Sequence, residues 1–352
     1  MTRKNQNIQW LDSLRALAIF GVIVIHISSP AVNMNWNKNM EFWWIGNLFD
    51  SAVRFAVPLF LMLSGVTLLI KEYDLVDFYK RRFSRVLIPF LFWIVIYWIY
   101  RWVTLSAKLQ PHEFPAILNW AIDLFLKEGV SKHFWYIYMI VFIYLIIPFM
   151  GNWLRKLNAS AVSNLLLLWA VLTFLLKSTP LNMYSWSGDY GSKFLGYFLY
   201  SGYLILGYYL MKLRTNLPVI KLVAVIIFSL SLAVSAVLTF YLSTKSHKLD
   251  LTLYNYLSVN TIIQTISIFL IFKDSIIKNK IIGWITKTIS DYSYGIYLVH
   301  IIVISFFFDR GIYWKFTYPL VSIPLLSLTV LVCSFVIIFV LRKIPFLKSI
   351  SG

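Results

Sequence analysis

Ten long apolar runs, separated by short polar stretches, recur along the sequence and fix the class of structure that it can form. A helix that crosses the hydrocarbon core of a bilayer needs about 20 apolar residues. Hydrophobic residues make up 60% of the 352 residues and charged residues 13%, whereas soluble domains carry about 25% charged residues. One soluble core cannot bury that much apolar surface. We therefore predict an all-α, polytopic membrane protein with a single transmembrane domain over residues 1–352.

Each run predicts one transmembrane helix, and the polar residues between the runs mark the connections. The ten predicted spans lie near residues 10–29, 48–70, 86–105, 133–150, 161–177, 194–212, 219–242, 254–272, 288–308 and 317–341. Spans of about 20 residues leave about 14 residues for an average connection. A soluble catalytic domain does not fit into connections of that length, so any chemistry must take place inside the helix bundle.

The basic residues predict the orientation. An even number of spans places both termini on the same side of the membrane, and 19 of the 32 Lys and Arg residues fall on that side, against 11 on the other. The positive-inside rule then makes both termini cytoplasmic. The net charge of +18 follows largely from this topology and does not indicate nucleic-acid binding. The opening run carries Arg15 and His26 and lacks a small-residue cleavage site, so we expect a retained helix rather than a signal peptide.

The first span places three ionisable residues on one helix face. Arg15 and His26 are eleven residues apart, so they lie within about 20° of each other around the helix and about 16 Å apart along it. Asp12, three residues before Arg15, lies on the same stripe and can pair with it. Ionisable groups at bilayer depth are costly and mark functional sites. The alternatives are that Arg15 snorkels to the inner headgroups and that His26 bonds a neighbouring helix; we favour function for the pair.

Arg54 in the second span lies near its outer edge, at a depth similar to that of His26. A guanidinium at this depth can hold a phosphate or a developing oxyanion, and simple pairing with Asp50 is an equally compatible interpretation. Later in the same span, Pro58 leaves a backbone carbonyl unpaired. The Ser64–Gly65 pair permits a second helix to approach closely.

Arg82 and Arg85 lie three residues apart where the third span begins, on the side predicted to be cytoplasmic. Side chains at this spacing share a helix face, and the amide dipoles of a helix start point at anions. Such a fork suits the phosphates of a cytosolic nucleotide-bearing cofactor. Positive-inside anchoring of the span explains the same two arginines without any ligand.

Two more histidines lie in later spans. His133 opens the fourth span at its outer end, and His300 follows Ser293 and Tyr297 at i, i+4, i+7 spacing on one face of the ninth span. A buried histidine beside a tyrosine is also compatible with simple packing. The outer connections at 33–44, 106–132 and 182–193 are rich in Trp, Tyr, Asn and Ser, which fits either a sugar platform or an aromatic belt at the membrane surface.

Neither the cysteine content nor the histidine spacing predicts a metal centre. Cys333 is the one cysteine, which excludes disulfides and cysteine-rich metal sites. A haem or metal held by His26 and His300 is disfavoured because no helix carries two suitably spaced histidine ligands. We therefore expect no metal.

Four segments together resemble the membrane acyltransferase-3 family. They are LDSLRALAIFGVIVIH (11–26), VPLFLMLSG (57–65), RRFSRVLIP (81–89) and SYGIYLVH (293–300). Three further segments resemble the branch of surface-polysaccharide O-acetyltransferases related to the enterobacterial common antigen enzyme. These are NLFDSAVRFAVPLFLMLSG (47–65), HFWYIYMIVFIYLIIP (133–148) and FLYSGYLILGYYL (198–210).

The resemblance implies a ten-helix enzyme of the bacterial inner membrane that moves acetyl from cytoplasmic acetyl-CoA to an extracytoplasmic glycan hydroxyl. Arg15 and His26 match the essential pair of that family, and Arg82 and Arg85 match its arginine motif. The additional extracytoplasmic domain of some members is missing here, so we expect the bundle and its outer connections to recognise the acceptor. Related serine-racemase membrane domains and biofilm-polysaccharide proteins share these motifs, which leaves the substrate open.

These observations predict a set of site residues. We assign catalysis to His26, Arg15, Arg54 and His300, donor binding to Arg15, Arg82 and Arg85, and acceptor binding to Asp12, His133, Trp135 and Tyr297. The acceptor is a surface glycan or a lipid-linked sugar, and His26 acts as a general base or as a transient acetyl carrier. The rival hypotheses are a transporter or flippase for a polar solute or lipid-linked sugar, and a polysaccharide-export component without catalysis.

Overall fold

The computed structural model describes residues 3–104, 114–126, 130–178, 190–213 and 217–352, and the regular structure in these ranges is helical. The α-helices are α1 (Arg3–Asn35), α2 (Met40–Ala52), α3 (Ala56–Leu68), α4 (Leu75–Thr104), α5 (Phe114–Leu126), α6 (Trp135–Arg155), α7 (Ala159–Ser178), α8 (Tyr190–Lys212), α9 (Pro218–Lys245), α10 (Val259–Phe272), α11 (Lys280–Phe308), α12 (Pro319–Lys343) and α13 (Pro345–Lys348). Two short 3-10 turns, Lys132–Phe134 and Thr252–Tyr254, precede α6 and α10.

The predicted all-α membrane architecture is confirmed. Each of the ten predicted spans coincides with a helix or a pair of helices, and nine spans in the described ranges are long and apolar enough to cross a membrane. The remaining predicted span, 194–212, is the tyrosine-rich helix α8. Helix α5 lies inside the predicted connection 106–132. Its 13 residues are too few to cross a bilayer, so it does not add a span.

The second span consists of two helices, whereas one continuous helix was predicted from the sequence. Helix α2 ends at Ala52, residues 53–55 form a turn, and α3 begins at Ala56. Pro58 lies in the first turn of α3, where its missing N–H costs nothing because the first amides of a helix have no intrahelical acceptor. The break places Arg54 at a helix junction rather than in a continuous helix.

Helix α1 lies at the centre of the bundle, in contact with α2, α3, α11 and α12. The lipid-facing positions belong mainly to α4, α7, α9 and α12, whose exposed apolar side chains are mostly leucine, valine and isoleucine. This arrangement packs α1 between α3 and α11, and α11 carries Tyr297 and His300 of the candidate site.

Two glycines allow α3 and α8 to pack backbone against backbone. A Cβ atom at Gly65 would overlap the backbone of Leu204 on α8, and one at Gly207 would overlap the backbone of Met62 on α3. Small residues at such crossings let membrane helices approach closely. The close approach predicted from Ser64–Gly65 is therefore confirmed, with α8 as the neighbour.

Gly65→Ala should destabilise the protein, because the obstructing atoms belong to a backbone that cannot rotate away. Overpacking of this kind costs about 1–3 kcal/mol. Gly283→Ala is the matched control, since its added methyl group would lie 3.8 Å from the nearest side-chain atom. Thermal unfolding in detergent, followed by size-exclusion recovery, should show a lower midpoint for Gly65→Ala alone. Equal midpoints for the two variants would contradict the glycine contact.

Candidate active site

Three histidines from distant parts of the sequence meet inside the bundle. The ring centroid of His26 on α1 lies 5.2 Å from that of His300 on α11 and 6.4 Å from that of His133 before α6. The centroids of His133 and His300 lie 5.1 Å apart. The structure therefore brings together two residues predicted to be catalytic, His26 and His300, and one predicted to bind the acceptor, His133.

Hydrogen bonds fix the orientation of two of these rings. Nδ1 of His133 shares a 2.8 Å hydrogen bond with the hydroxyl of Ser131. Nδ1 of His300 donates to the Tyr297 carbonyl at 2.6 Å. A carbonyl only accepts, so the neutral ring of His300 carries its hydrogen on Nδ1 and presents a lone pair at Nε2. Within the described residues, Nε2 of His133 and Nε2 of His300 are buried without a hydrogen-bond partner.

Two tyrosines enclose the histidines. The ring of Tyr297 lies 5.3 Å from that of His133 and 5.6 Å from that of His300, and its hydroxyl donates to the His133 carbonyl. Tyr97 on α4 lies 5.4 Å from His133 and donates to the Leu298 carbonyl at 3.0 Å. Tyr97 is not among the site residues predicted from the sequence, because nothing in the pattern of α4 separates it from the other aromatic residues of that helix.

A cavity of about 760 Å³ leads from the predicted cytoplasmic end of the bundle to Tyr297. Arg15, Arg82 and Arg85 line this cavity, as do Ser64 and Tyr136. The three arginines predicted to bind the donor therefore share one space, which extends to a tyrosine in contact with the histidine cluster. Arg342 and Lys348 also line it and were missed, since their position near the last span looked like ordinary positive-inside charge.

Asp12 lies at the inner end of the bundle, where it holds Arg15. Its Oδ1 lies 3.3 Å from Nη1 of Arg15 and accepts a 2.8 Å hydrogen bond from the hydroxyl of Ser290. The predicted pairing of Asp12 with Arg15 is confirmed. The side chain of Arg15 keeps 30% of its surface exposed, which leaves part of the guanidinium available in the cavity.

Arg54 is held from two sides at the junction of α2 and α3. It forms an ion pair with the fully buried Asp50, so the simpler of the two sequence interpretations describes its main contact. The guanidinium also lies 4.1 Å from the ring centroid of Tyr254 and donates to the Tyr254 carbonyl at 3.4 Å. Arg54 is not among the residues that line the arginine-lined cavity.

Trp135 joins the Arg54 region to the histidine cluster. It follows His133 by two residues and stacks on Tyr256, with centroids 5.8 Å apart and planes 21° apart. The ring of Tyr256 in turn lies 5.9 Å from the guanidinium of Arg54. The side chains predicted to bind the acceptor near the outer end are therefore contiguous with Arg54.

The outer connections give a mixed result. In the segment 33–44, Trp43 is fully buried and packs against Trp36 and Trp44, with centroids 5.0 and 5.1 Å away, so it is part of the core rather than a sugar platform. Most of the segment 182–193, and residues 106–113 and 127–129 of the segment 106–132, lie outside the described residues.

A second, smaller pocket of about 390 Å³ adjoins Arg82 and Arg85 at the inner surface and also contacts Tyr73. Burial raises the pKa of the Tyr73 phenol, while the nearby charge of Arg82 acts in the opposite direction. Tyr73 therefore stays neutral at physiological pH and does not compete with an anionic ligand for the arginines. Over the described ranges, no group of three His, Cys, Asp or Glu side chains is placed to hold a metal ion.

Comparison with protein families gives one match. The family model described as an acyltransferase domain, Acyl_transf_3, matches residues 8–341, which is nearly the whole chain. No curated protein and no solved structure matches the chain.

A cysteine placed in the cavity should react with a membrane-impermeant thiol reagent from the arginine-lined side only. In a Cys333→Ala background, Ser84→Cys tests the exposed rim and Ser64→Cys tests the interior, since both residues line the cavity. Ser327→Cys is the control because Ser327 is fully buried elsewhere. Inside-out vesicles should label the first two variants and spare the third. Labelling of Ser64→Cys from the opposite face would reverse the predicted orientation.

Proposed function

The chain belongs to the acyltransferase domain family matched over residues 8–341, and we propose that it is an O-acetyltransferase of a bacterial inner membrane. In this proposal it moves acetyl from cytoplasmic acetyl-CoA to a hydroxyl of an extracytoplasmic polysaccharide or of its lipid-linked precursor. One observation carries the proposal: a single cavity is lined by the three predicted donor-binding arginines and by Arg342, and it reaches Tyr297, which contacts two histidines beside His26.

The inner part of the cavity suits the phosphates of the donor. Arg15, Arg82 and Arg85 supply three positive charges around one space, and guanidinium groups bind phosphate through paired, charge-assisted hydrogen bonds. Asp12 is better suited to positioning Arg15 than to contacting an acceptor on the other side of the membrane, because it is buried against Arg15 and Ser290. The pantetheine arm then follows the cavity towards Tyr297.

His26 acts as the general base in this mechanism. Its imidazole takes the proton of the acceptor hydroxyl, the hydroxyl oxygen attacks the thioester carbonyl, and the C–O bond forms as the C–S bond breaks. The leaving CoA thiolate recovers the proton from the imidazolium, so the products are an O-acetyl ester and free CoA thiol. Nε2 of His300, with its unshared lone pair, and Nε2 of His133 both lie beside His26 without a hydrogen-bond partner among the described residues, which suits the two rings to orienting His26 or the acceptor.

Arg54 stabilises the negative charge that develops on the thioester carbonyl oxygen. A fixed cation next to a developing oxyanion contributes more in a dry interior than in water. Asp50 holds the guanidinium in place, and Tyr254 packs against its face. Trp135, stacked beside this group, offers the aromatic surface that suits a sugar ring. The sequence resemblance to the enterobacterial common antigen branch supports a polysaccharide acceptor.

The break between α2 and α3 favours a transporter as the second candidate. Transporters often bind substrates at interrupted helices that carry polar or charged groups, and Arg54 lies at such an interruption. The two functions differ in the fate of the acyl group. Incubating proteoliposomes with radiolabelled acetyl-CoA leaves label on a glycan or on the protein only if acyl transfer occurs.

His26→Ala should lower acetyl transfer by about 10²–10⁴-fold, the usual contribution of a positioned general base. His247→Ala is the matched control, because His247 is exposed in an outer turn. Mass spectrometry of the acceptor glycan measures the reaction, and size-exclusion chromatography verifies that both variants insert and fold. Full activity of a folded His26→Ala variant would exclude His26 from the chemistry.

Arg82→Ala and Arg85→Ala should raise the KM for acetyl-CoA about tenfold or more, since each lost charge-assisted hydrogen bond is worth about 1.5–3 kcal/mol. Arg81→Ala is the control: Arg81 belongs to the same helix turn but pairs with Asp77 at the surface, with 71% of its side chain exposed. Its KM should stay unchanged. An equal rise in the KM for the acceptor would indicate a general structural effect rather than donor binding.

A further inference from the structure

A third cavity opens on the side of the bundle, away from the arginine-lined cavity and from the small pocket beside Tyr73. It has a volume of about 620 Å³ and lies between the ends of α7 and α10 and the middle of α9. We call it the lateral groove; its lining includes Phe174, Leu230, Val234, Leu257, Asn260 and Ile263. In the predicted topology these residues occupy the outer half of the membrane. Leu230 and Val234 are 61% and 46% exposed, so the groove faces the hydrocarbon of the bilayer.

One wall of the lateral groove contains a polar atom that a hydrocarbon chain cannot satisfy. Asn260 is 7% exposed and lines the groove. Its Nδ2 donates to the hydroxyl of Ser235 at 2.8 Å and to the Leu253 carbonyl at 2.9 Å, whereas its Oδ1 has no hydrogen-bond partner among the described residues. An unsatisfied amide oxygen at bilayer depth costs several kcal/mol. A ligand with a hydrogen-bond donor next to an apolar chain could satisfy this buried oxygen in the groove wall, which hydrocarbon alone cannot.

The segment 252–257 separates the lateral groove from the candidate active site. Leu253 and Leu257 line the groove, while the rings of Tyr254 and Tyr256 lie 4.1 and 5.9 Å from the guanidinium of Arg54. A single layer of backbone thus has the hydrocarbon-facing groove on one side and the Arg54 region on the other.

A hydrogen-bonded network links the same two regions. The hydroxyl of Tyr254 donates to Oδ1 of Asn47 at 2.6 Å, and the amide of Asn47 donates to the Ala236 carbonyl on α9 at 3.0 Å. Helix α9 also carries Ser235, which binds Asn260. The groove wall and the Arg54 region therefore form one connected structure.

We propose that the lateral groove binds the hydrocarbon chain of a lipid-linked saccharide, which enters from the outer half of the membrane. This inference rests on the proposed acyltransferase function and specifies its acceptor as a lipid-linked sugar rather than a finished, water-soluble polymer. The chain lies along Leu230, Val234 and Ile263, and the polar head reaches past the segment 252–257 towards Arg54 and Trp135. The groove volume falls within the range of about 300–1,000 Å³ of ordinary ligand sites.

Leu230→Trp tests the proposal by filling the groove from a lipid-facing position, where a larger apolar side chain leaves the core undisturbed. Leu222→Trp is the matched control, because Leu222 lies on the same helix, is 63% exposed and is no part of the groove lining. The acceptors are lipid-linked saccharides extracted from the source membranes and the same saccharides released from their lipid by mild acid. Transfer from radiolabelled acetyl-CoA is measured in phosphatidylethanolamine–phosphatidylglycerol vesicles.

We expect Leu230→Trp to lower transfer to the lipid-linked saccharides by about tenfold or more, which corresponds to about 1.4 kcal/mol of lost binding. Transfer to the released saccharides should stay at the wild-type rate, and Leu222→Trp should leave both reactions unchanged. Equal loss on both acceptors would mean that Leu230→Trp acts through the fold, and no loss on either would mean that the groove holds bulk lipid. Both results overturn the proposal.

A binding measurement separates failure of the groove from failure of the enzyme. If the wild-type protein acetylates neither acceptor, the proposed function is wrong, and photo-crosslinking then decides the groove on its own. The probe is a polyprenyl diphosphate N-acetylglucosamine with a diazirine in its chain. It should label peptides of α9 and α10 in the wild type and in Leu222→Trp, and label Leu230→Trp weakly. Equal labelling by a diazirine phosphatidylethanolamine would overturn the lipid-linked assignment.

Discussion

The cost of placing ionisable side chains among apolar helices governs the arrangement of this site. Arg54 is neutralised by Asp50, four residues earlier in the chain, and Arg15 is held by Asp12, three residues earlier. His133 and His300 each use Nδ1 for a structural hydrogen bond. These contacts reduce the cost of burial and fix the side-chain directions. They also leave the Nε2 atoms of both rings without a hydrogen-bond partner among the described residues, in the same small volume.

Close helix packing makes such a site possible. The backbone contact between α3 and α8 at Gly65 and Gly207 holds α3 in position against the rest of the bundle. Helix α1 then lies between α3 and α11, with Arg15 and His26 on the face directed at the site. The cavity that starts at Arg15 reaches Tyr297, whose ring contacts those of His133 and His300. The rise of α1 between Arg15 and His26, about 16 Å, sets the distance that the proposed donor must span.

The arginine-lined cavity and the lateral groove open on different sides of the bundle and differ in polarity. The arginine-lined cavity is polar at its inner mouth and fits an anionic, water-soluble donor. The lateral groove is apolar and faces the bilayer, which fits a membrane-borne acceptor. They approach the histidine cluster and the Arg54 region from different directions, so the proposed donor and the proposed acceptor would not share an entrance. The proposed transfer from a cytosolic thioester to an outer glycan would use this separation.

Much of the architecture was predictable because hydrophobicity and helical periodicity are local properties of the sequence. The apolar runs determined the all-helical membrane class and the positions of ten helical segments, nine of which are long and apolar enough to cross a membrane in the described ranges. The spacing of Asp12, Arg15 and His26 determined that they share one face. Local patterns carry no information on which helices touch. Only the tertiary structure brought His133 and His300 together beside His26, although they lie 167 positions apart in the chain. The break of the second span at Arg54 and the two cavities also depend on the tertiary structure. These features depend on the fit between helix surfaces, which small residues such as Gly65 decide through contacts with residues far away in the sequence.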